Sequence, residues 1–175
     1  RERIYIIGFR KDLGIDITKF QYPEPQSVGK LRPKFSDVME EDVPSVKYYL
    51  STVYLDTLKR HRARHEAAGH GFGYEIIDTD GVANAIVVGG MGRERNLIID
   101  PRLKDFTPIT RIKGEVNREG IRRMTPREWA RLQGFPDSFK IVVADASAYK
   151  QFGNSVAIPA IQMTAKNELE LLGLI

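Results

Sequence analysis

At 175 residues the chain is long enough for one compact core, or for a small domain plus a piece of another, and too short for two large independent domains. Its 42% hydrophobic and 29% charged residues exclude a disordered or bilayer-embedded chain, and no apolar run approaches membrane-spanning length. A net charge of +4, from 27 basic and 23 acidic residues, suits a polyanionic partner without requiring one, while the absence of cysteine excludes disulfides, thiolate metal sites and a cysteine nucleophile within these residues.

The chain opens on Arg1-Glu2-Arg3 with neither an initiator Met nor a signal-peptide pattern, so it reads as a piece of a longer, cytoplasmic protein. Residues 4–9, Ile-Tyr-Ile-Ile-Gly-Phe, predict a strand buried on both faces, whose sheet partners are expected mostly outside this chain. Residues 22–44 carry four prolines and scattered charges and predict an irregular segment anchored by Val38 and Met39. Ser51 caps a predicted helix that runs to Ala68 and stops at Gly69, with Tyr54, Leu55, Leu58 and His65 on one face and Lys59, Arg60, Arg62 and Arg64 on the other.

Residues 74–77 and 85–88 flank Asp78-Thr79-Asp80-Gly81 and predict a hairpin, and residues 97–99 a third short strand. Between them lies the glycine-rich loop of residues 89–95. Thr125-Pro126-Arg127-Glu128 is a strong helix start: Thr125 caps, Pro126 takes the first helical position and Glu128 closes a capping box. Gly134 and Pro136 stop that helix near Gln133. A short helix over residues 147–152, ended by Gly153, and a last one over 159–172 follow, the latter striped by Ile161, Thr164, Ala165, Leu169 and Leu172.

Three segments, in order, resemble the last three motifs of the bacterial-type DNA cytosine-5 methyltransferase family: Arg1-Glu2-Arg3 before the first strand; residues 122–136, from Arg122-Arg123-Met124-Thr125 to Gly134-Phe135-Pro136; and Gln151-Phe152-Gly153-Asn154-Ser155-Val156. The middle segment is the most specific, with Met124 where Leu is usual and Trp129 where Cys is common. The resemblance implies a mixed α/β chain, the C-terminal portion of a Rossmann-like S-adenosylmethionine-dependent domain plus a small α+β target-recognition domain. It divides the chain into a catalytic-domain strand (1–24), a recognition domain (25–118) and helices returning to the catalytic domain (119–175). It also implies that Arg3 and Arg1 support catalysis from the strand end and that Asn154, Ser155 and Val156 close one side of the cofactor pocket. Short polar groups before a helix N-terminus suit the cofactor's carboxylate.

In the variable region, Gly71-Phe72-Gly73-Tyr74 and the loop from Gly89 to Arg95 resemble, more loosely, the recognition segments of Dcm-like members of the family, for which CC(A/T)GG is the expected target. Gly89 and Gly90 let the backbone approach the major groove, and Arg93 or Arg95 suits the O6 and N7 of guanine. Phe72 and Tyr74 belong to the same surface, and Arg62, with Lys59, Arg60 and Arg64, suits phosphates. His61 and His65, four apart on a helix, lack the further ligands of a metal site.

Family chemistry needs a cysteine thiolate to attack a flipped-out cytosine, and neither that Pro-Cys dipeptide nor the glycine-rich cofactor loop is in this sequence. The expected partners are therefore double-stranded DNA and an N-terminal catalytic part, with no membrane. The alternatives are a DNA-binding module with no catalytic partner and a protein-interaction domain whose basic surface is incidental.

Overall fold

The helix α1 (Thr52–Ala67) forms where local chemistry asks for it. The Ser51 hydroxyl accepts the Tyr54 N–H at 3.2 Å, satisfying one amide that a helix start leaves without a partner. Leu55 and Leu58 bury its inner face against Leu50, Leu97 and Ile121, and the chain leaves through Gly69 at φ +74°, a conformation that resists a side chain. The computed structural model describes residues 4–24, 34–89, 92–109 and 112–175. They fall into two compact units, one of the residues from 34 to 155, the other of the N-terminal described residues and Val156–Ile175.

In the larger unit, β1 (Leu97–Ile99) pairs antiparallel with β2 (Ile121–Arg123), Ile98 opposite Arg122. Single bridges extend this ribbon from Tyr49 to Arg122 and from Ile76 to Leu97. The buried Asn117 side chain substitutes for a further strand: its amide donates to the carbonyls of Leu50 and Ile121 at 2.7 and 2.8 Å, and its carbonyl accepts the Ile121 N–H at 2.9 Å. The helix α2 (Pro126–Leu132) follows, with the expected capping box. Thr125 Oγ1 accepts the Glu128 N–H at 3.1 Å, and Glu128 accepts the Thr125 N–H at 2.8 Å. α3 (Asp145–Asn154) packs on α2, and Phe35, Ile98, Met124, Trp129, Ala130 and Phe152 are among the residues that fill the core they share. Phe35, fully buried, anchors the proline-rich segment, with Val38 and Met39 packed beside it.

Three expectations need correcting. Residues 4–9 are not a strand: Ile4 and Ile6 are 89% and 92% exposed, and among the described residues nothing pairs with their backbone. An extended run becomes a strand only where a neighbour takes its N–H and C=O groups. The turn at Asp78–Gly81 forms, with Gly81 N–H on the Asp78 carbonyl at 2.9 Å, but its arms do not make a hairpin. The backbone of Glu75 and Ile77 pairs instead with Glu94 and Leu97, and Asn84 exchanges hydrogen bonds with the Asn96 side chain. α3 begins two residues before the expected start and runs through Gly153 rather than ending there. A Cβ on Gly153 would lie 2.5 Å from Val88 Cγ2, so this glycine serves close packing and not termination.

The smaller unit holds α4 (Ile158–Leu171), joined to the N-terminal segment by Asn167 Nδ2 donating to the Gln21 carbonyl at 2.7 Å. Phe9, Phe20 and Tyr22 contact one another in a row, tilted and then edge-on, with centroids 6.2 and 5.2 Å apart. No residue of α4 is buried; its expected stripe leaves Ile161 39% and Leu169 37% exposed.

Candidate nucleic-acid interface

A buried ion network fixes the frame that carries the candidate residues. Arg122, on β2, has no exposed side-chain surface; it donates to Glu128 at 2.7 and 2.8 Å and to Asp100 at 2.9 Å. Asp100 also accepts from Arg102 at 2.8 and 2.9 Å, and Arg102 donates to the carbonyls of Glu40 and Glu41. Thr125 Oγ1 donates to Glu40. One guanidinium thus ties the end of β1 to α2, and its neighbours tie both to the proline-rich segment.

Burial alone would raise the Asp100 carboxyl; the two guanidiniums outweigh it and hold it at about 2, below its ordinary 3.8. A depressed carboxylate contributes stability that is complete above its unfolded value and lost as pH falls through its folded one. Asp100 is therefore expected to give the protein an acid-unfolding phase as pH falls from about 4 towards 2. Urea midpoints measured across that window should fall in the parent protein, whereas Asp100→Asn should be weaker throughout but with a shallower pH slope.

The expected DNA-contacting residues occupy three places. Arg62, Phe72 and Tyr74 meet at the C-terminal half of α1. Arg62 pairs with Glu66 at 2.7 Å, donates to the Tyr74 carbonyl at 3.1 Å and lies over the Tyr74 ring, and Phe72 packs edge-on to His61 and His65. The two imidazoles are 4.5 Å apart, and among the described residues no three His, Cys, Asp or Glu side chains are arranged to hold a metal ion. Arg95 pairs with Glu75 at 3.2 Å, and its carbonyl accepts from Asn84. Arg93, exposed, lies 5.5 Å over the Tyr149 ring of α3.

The loop that carries Arg93 and Arg95 is held close. Gly89 sits at φ +82°, and a Cβ on Gly92 would come within 2.3 Å of the Val87 carbonyl oxygen. The loop therefore touches α3 twice, through Arg93 on Tyr149 and through Val88 on Gly153. Of the candidate cofactor residues, Asn154 closes α3 and Ser155 is its C-cap, both in the larger unit, while Val156 begins the C-terminal part of the smaller one. Arg1, Arg3 and Gly90 lie outside the described residues.

The structure adds a feature that the sequence did not announce. A cleft of about 800 Å3 in the larger unit is lined by the Lys47–Tyr49 segment, Tyr54, Arg93, Lys113, Arg123 and the start of α3. Lys47 is spent on Asp145 at 2.7 Å, which holds its ammonium above the ordinary lysine range against a smaller opposing effect of burial. Arg123 is spent on Glu94 at 3.1 Å and lies over the Tyr54 ring. Lys113 and Arg93 are exposed, and neither forms an ion pair among the described residues. The run Lys47-Tyr48-Tyr49 interleaves a base with aromatics and carries a sequence signal for such a surface; nothing local marks Lys113 or Tyr149.

Comparison with known proteins agrees with the motifs. The sequence profile of the family described as C-5 cytosine-specific DNA methylase matches residues 1–170. The type II methyltransferase M.HpaII of Haemophilus parainfluenzae is 68% identical over 173 residues, covering 99% of this chain and 47% of that protein. M.SsoII of Shigella sonnei, also a type II methyltransferase, is 37% identical over 174 residues, covering 98% of this chain and 41% of its own. Among solved structures, the S. pombe Dnmt2 methyltransferase superposes with a TM-score of 0.59 at 17% identity, covering 98% of this chain and 50% of that one. At that identity the likeness shows the fold alone. The chain spans about half the length of the curated relatives it matches.

Proposed function

Because the chain belongs to the C-5 cytosine-specific DNA methylase family, we propose that it is the target-recognition and C-terminal part of a DNA cytosine-5 methyltransferase, choosing the duplex sequence and completing the cofactor pocket. The observation that carries this reading is the loop of residues 89–95. Gly92 sits too close to the Val87 carbonyl for any side chain, and the loop presents Arg93, exposed and without an acidic partner among the described residues, on a tyrosine of α3. A guanidinium in that setting is available for bidentate hydrogen bonds to guanine in the major groove. The exposed ion pair of Arg62 with Glu66 is weak enough to exchange for a phosphate, and Arg95 with Glu75 stands in the same position.

The methyl donor of the reaction is S-adenosylmethionine, which supplies an electrophilic methyl group when bound. Asn154 and Ser155 fit its carboxylate by chemistry: both are short polar side chains at the end of α3. With no cysteine in the chain, the nucleophile comes from the Pro-Cys part of the enzyme, and Arg3 and Arg1 support the reaction electrostatically. The chain alone is inactive on this reading. The alignment with M.HpaII covers 99% of this chain, the region between the motifs included, so we assign the two proteins a common target.

Two measurements test this. Mixing the chain with a polypeptide that carries the missing half should restore methyl incorporation into DNA, and no activity from the reconstituted pair would count against the assignment. Arg93→Ala should lose about 1–3 kcal/mol of discrimination between cognate and altered duplexes while keeping its affinity for random DNA. An equal loss on both would remove Arg93 from base reading.

A further inference from the structure

We propose that the cleft between Tyr48 and α3 takes a single unstacked nucleotide of the bound DNA, with its phosphate on Lys113 and its base against Tyr48 and Tyr54. The inference rests on the DNA-recognition reading above and adds to it a site beside the groove-reading loop, whose Arg93 forms part of the wall.

Size is the first argument. At about 800 Å3 the cleft matches the range of small-ligand sites, roughly 300–1,000 Å3, and is far too narrow for a duplex. Whatever enters from a DNA partner is one nucleotide, not a helix. Charge is the second. Lys113 is exposed and unpaired among the described residues, and Arg93 adds its field from the same walls, while the charge of Arg123 is offset by Glu94 at 3.1 Å. The carboxylate at the edge, Asp145, is neutralised by Lys47 at 2.7 Å, so it does not repel a phosphate as a lone carboxylate would.

The third argument is the arrangement of the aromatics. Tyr149 and Tyr49 are 7% and 2% exposed and belong to the wall, but Tyr48 and Tyr54 are only half-buried. Each already carries a cation against its ring, Lys47 at 4.8 Å on Tyr48 and Arg123 at 5.1 Å on Tyr54. Cations flanking partly open tyrosine faces are the combination by which single strands are held, with stacking on the ring and the backbone on the charge. An acidic peptide would use the cations and leave the rings idle. A nucleotide uses both.

The test uses the chain with two fluorescently labelled duplexes of the M.HpaII target, identical except that one carries a single unpaired 2-aminopurine nucleotide beside the target. The bulged duplex should bind about tenfold more tightly, with 2-aminopurine emission quenched on binding. Tyr48→Leu should erase that preference, Tyr48→Phe should keep it, and Lys113→Ala should weaken both duplexes and lower the salt slope by about 1. Equal affinity for the two duplexes without quenching would overturn the nucleotide site, as would a preference that survives Tyr48→Leu. In that event a relaxed specificity for Arg93→Ala would leave the DNA-recognition reading standing. Failure of the chain to bind any duplex at low salt would overturn both.

Discussion

Arg122→Ala should destabilise the larger unit by about 3–5 kcal/mol, read as a lowered urea midpoint with Trp129 fluorescence as the probe. The side chain is fully buried between Glu128 and Asp100, and its removal strands two carboxylates where water does not reach them. Against a total stability of about 5–15 kcal/mol for a domain, that is a large share of what holds the unit folded. Arg122→Lys should recover part of the loss and no more, because an ammonium cannot reproduce the paired bonds at 2.7 and 2.8 Å to Glu128 and also reach Asp100. The experiment asks whether the middle motif is a structural clamp. A loss below about 1 kcal/mol, the scale of an exposed pair, would show that the network does not hold β1, β2 and α2 together.

The same residue shows where a sequence stops being informative. Thr125, Pro126 and Glu128 announce α2 because a capping box is written within four positions, and Ser51 announces α1 for the same reason. Arg122 and Arg123, by contrast, look like solvated charge. That Arg122 is instead the most enclosed cation among the described residues depends on Asp100, 22 residues away, and no local pattern encodes it. β2 is invisible for that reason. The misjudged elements at 4–9 and 74–88 fail in the complementary way: their residues have strand character, but strand formation is decided by which backbone lies alongside. For residues 75–77 the neighbour is 94–97 and not the other arm of the turn. The cleft is harder still to read from sequence, since its described walls come from separated stretches around 47–54, 93, 109, 112–113, 123 and 144–149. Of the described residues expected to contact DNA, Arg93 lines it and the others do not.

Trp129→Ala should cost about 3–5 kcal/mol, and with the chain's one tryptophan gone the transition has to be followed by far-ultraviolet circular dichroism. Trp129 is 2% exposed and stands edge-on to Tyr149 with ring centroids 4.9 Å apart. It also lies 3.4 Å from where a Cβ on Gly153 would sit, so it backs α3 at both places where the recognition loop touches that helix. The resembling motif commonly carries Cys at this position, but the surroundings here are built to a larger side chain. Trp129→Cys should therefore cost nearly as much as Trp129→Ala, since both leave a cavity that rigid neighbours cannot close. The functional consequence follows from the packing. Tyr149 loses its support, Arg93 loses a fixed platform, and discrimination between cognate and altered duplexes should fall under conditions in which the variant remains folded. Retained discrimination in a folded Trp129→Ala protein would show that Arg93 is positioned by its own loop, through Gly92 and Val87, and that α3 is a bystander to DNA reading.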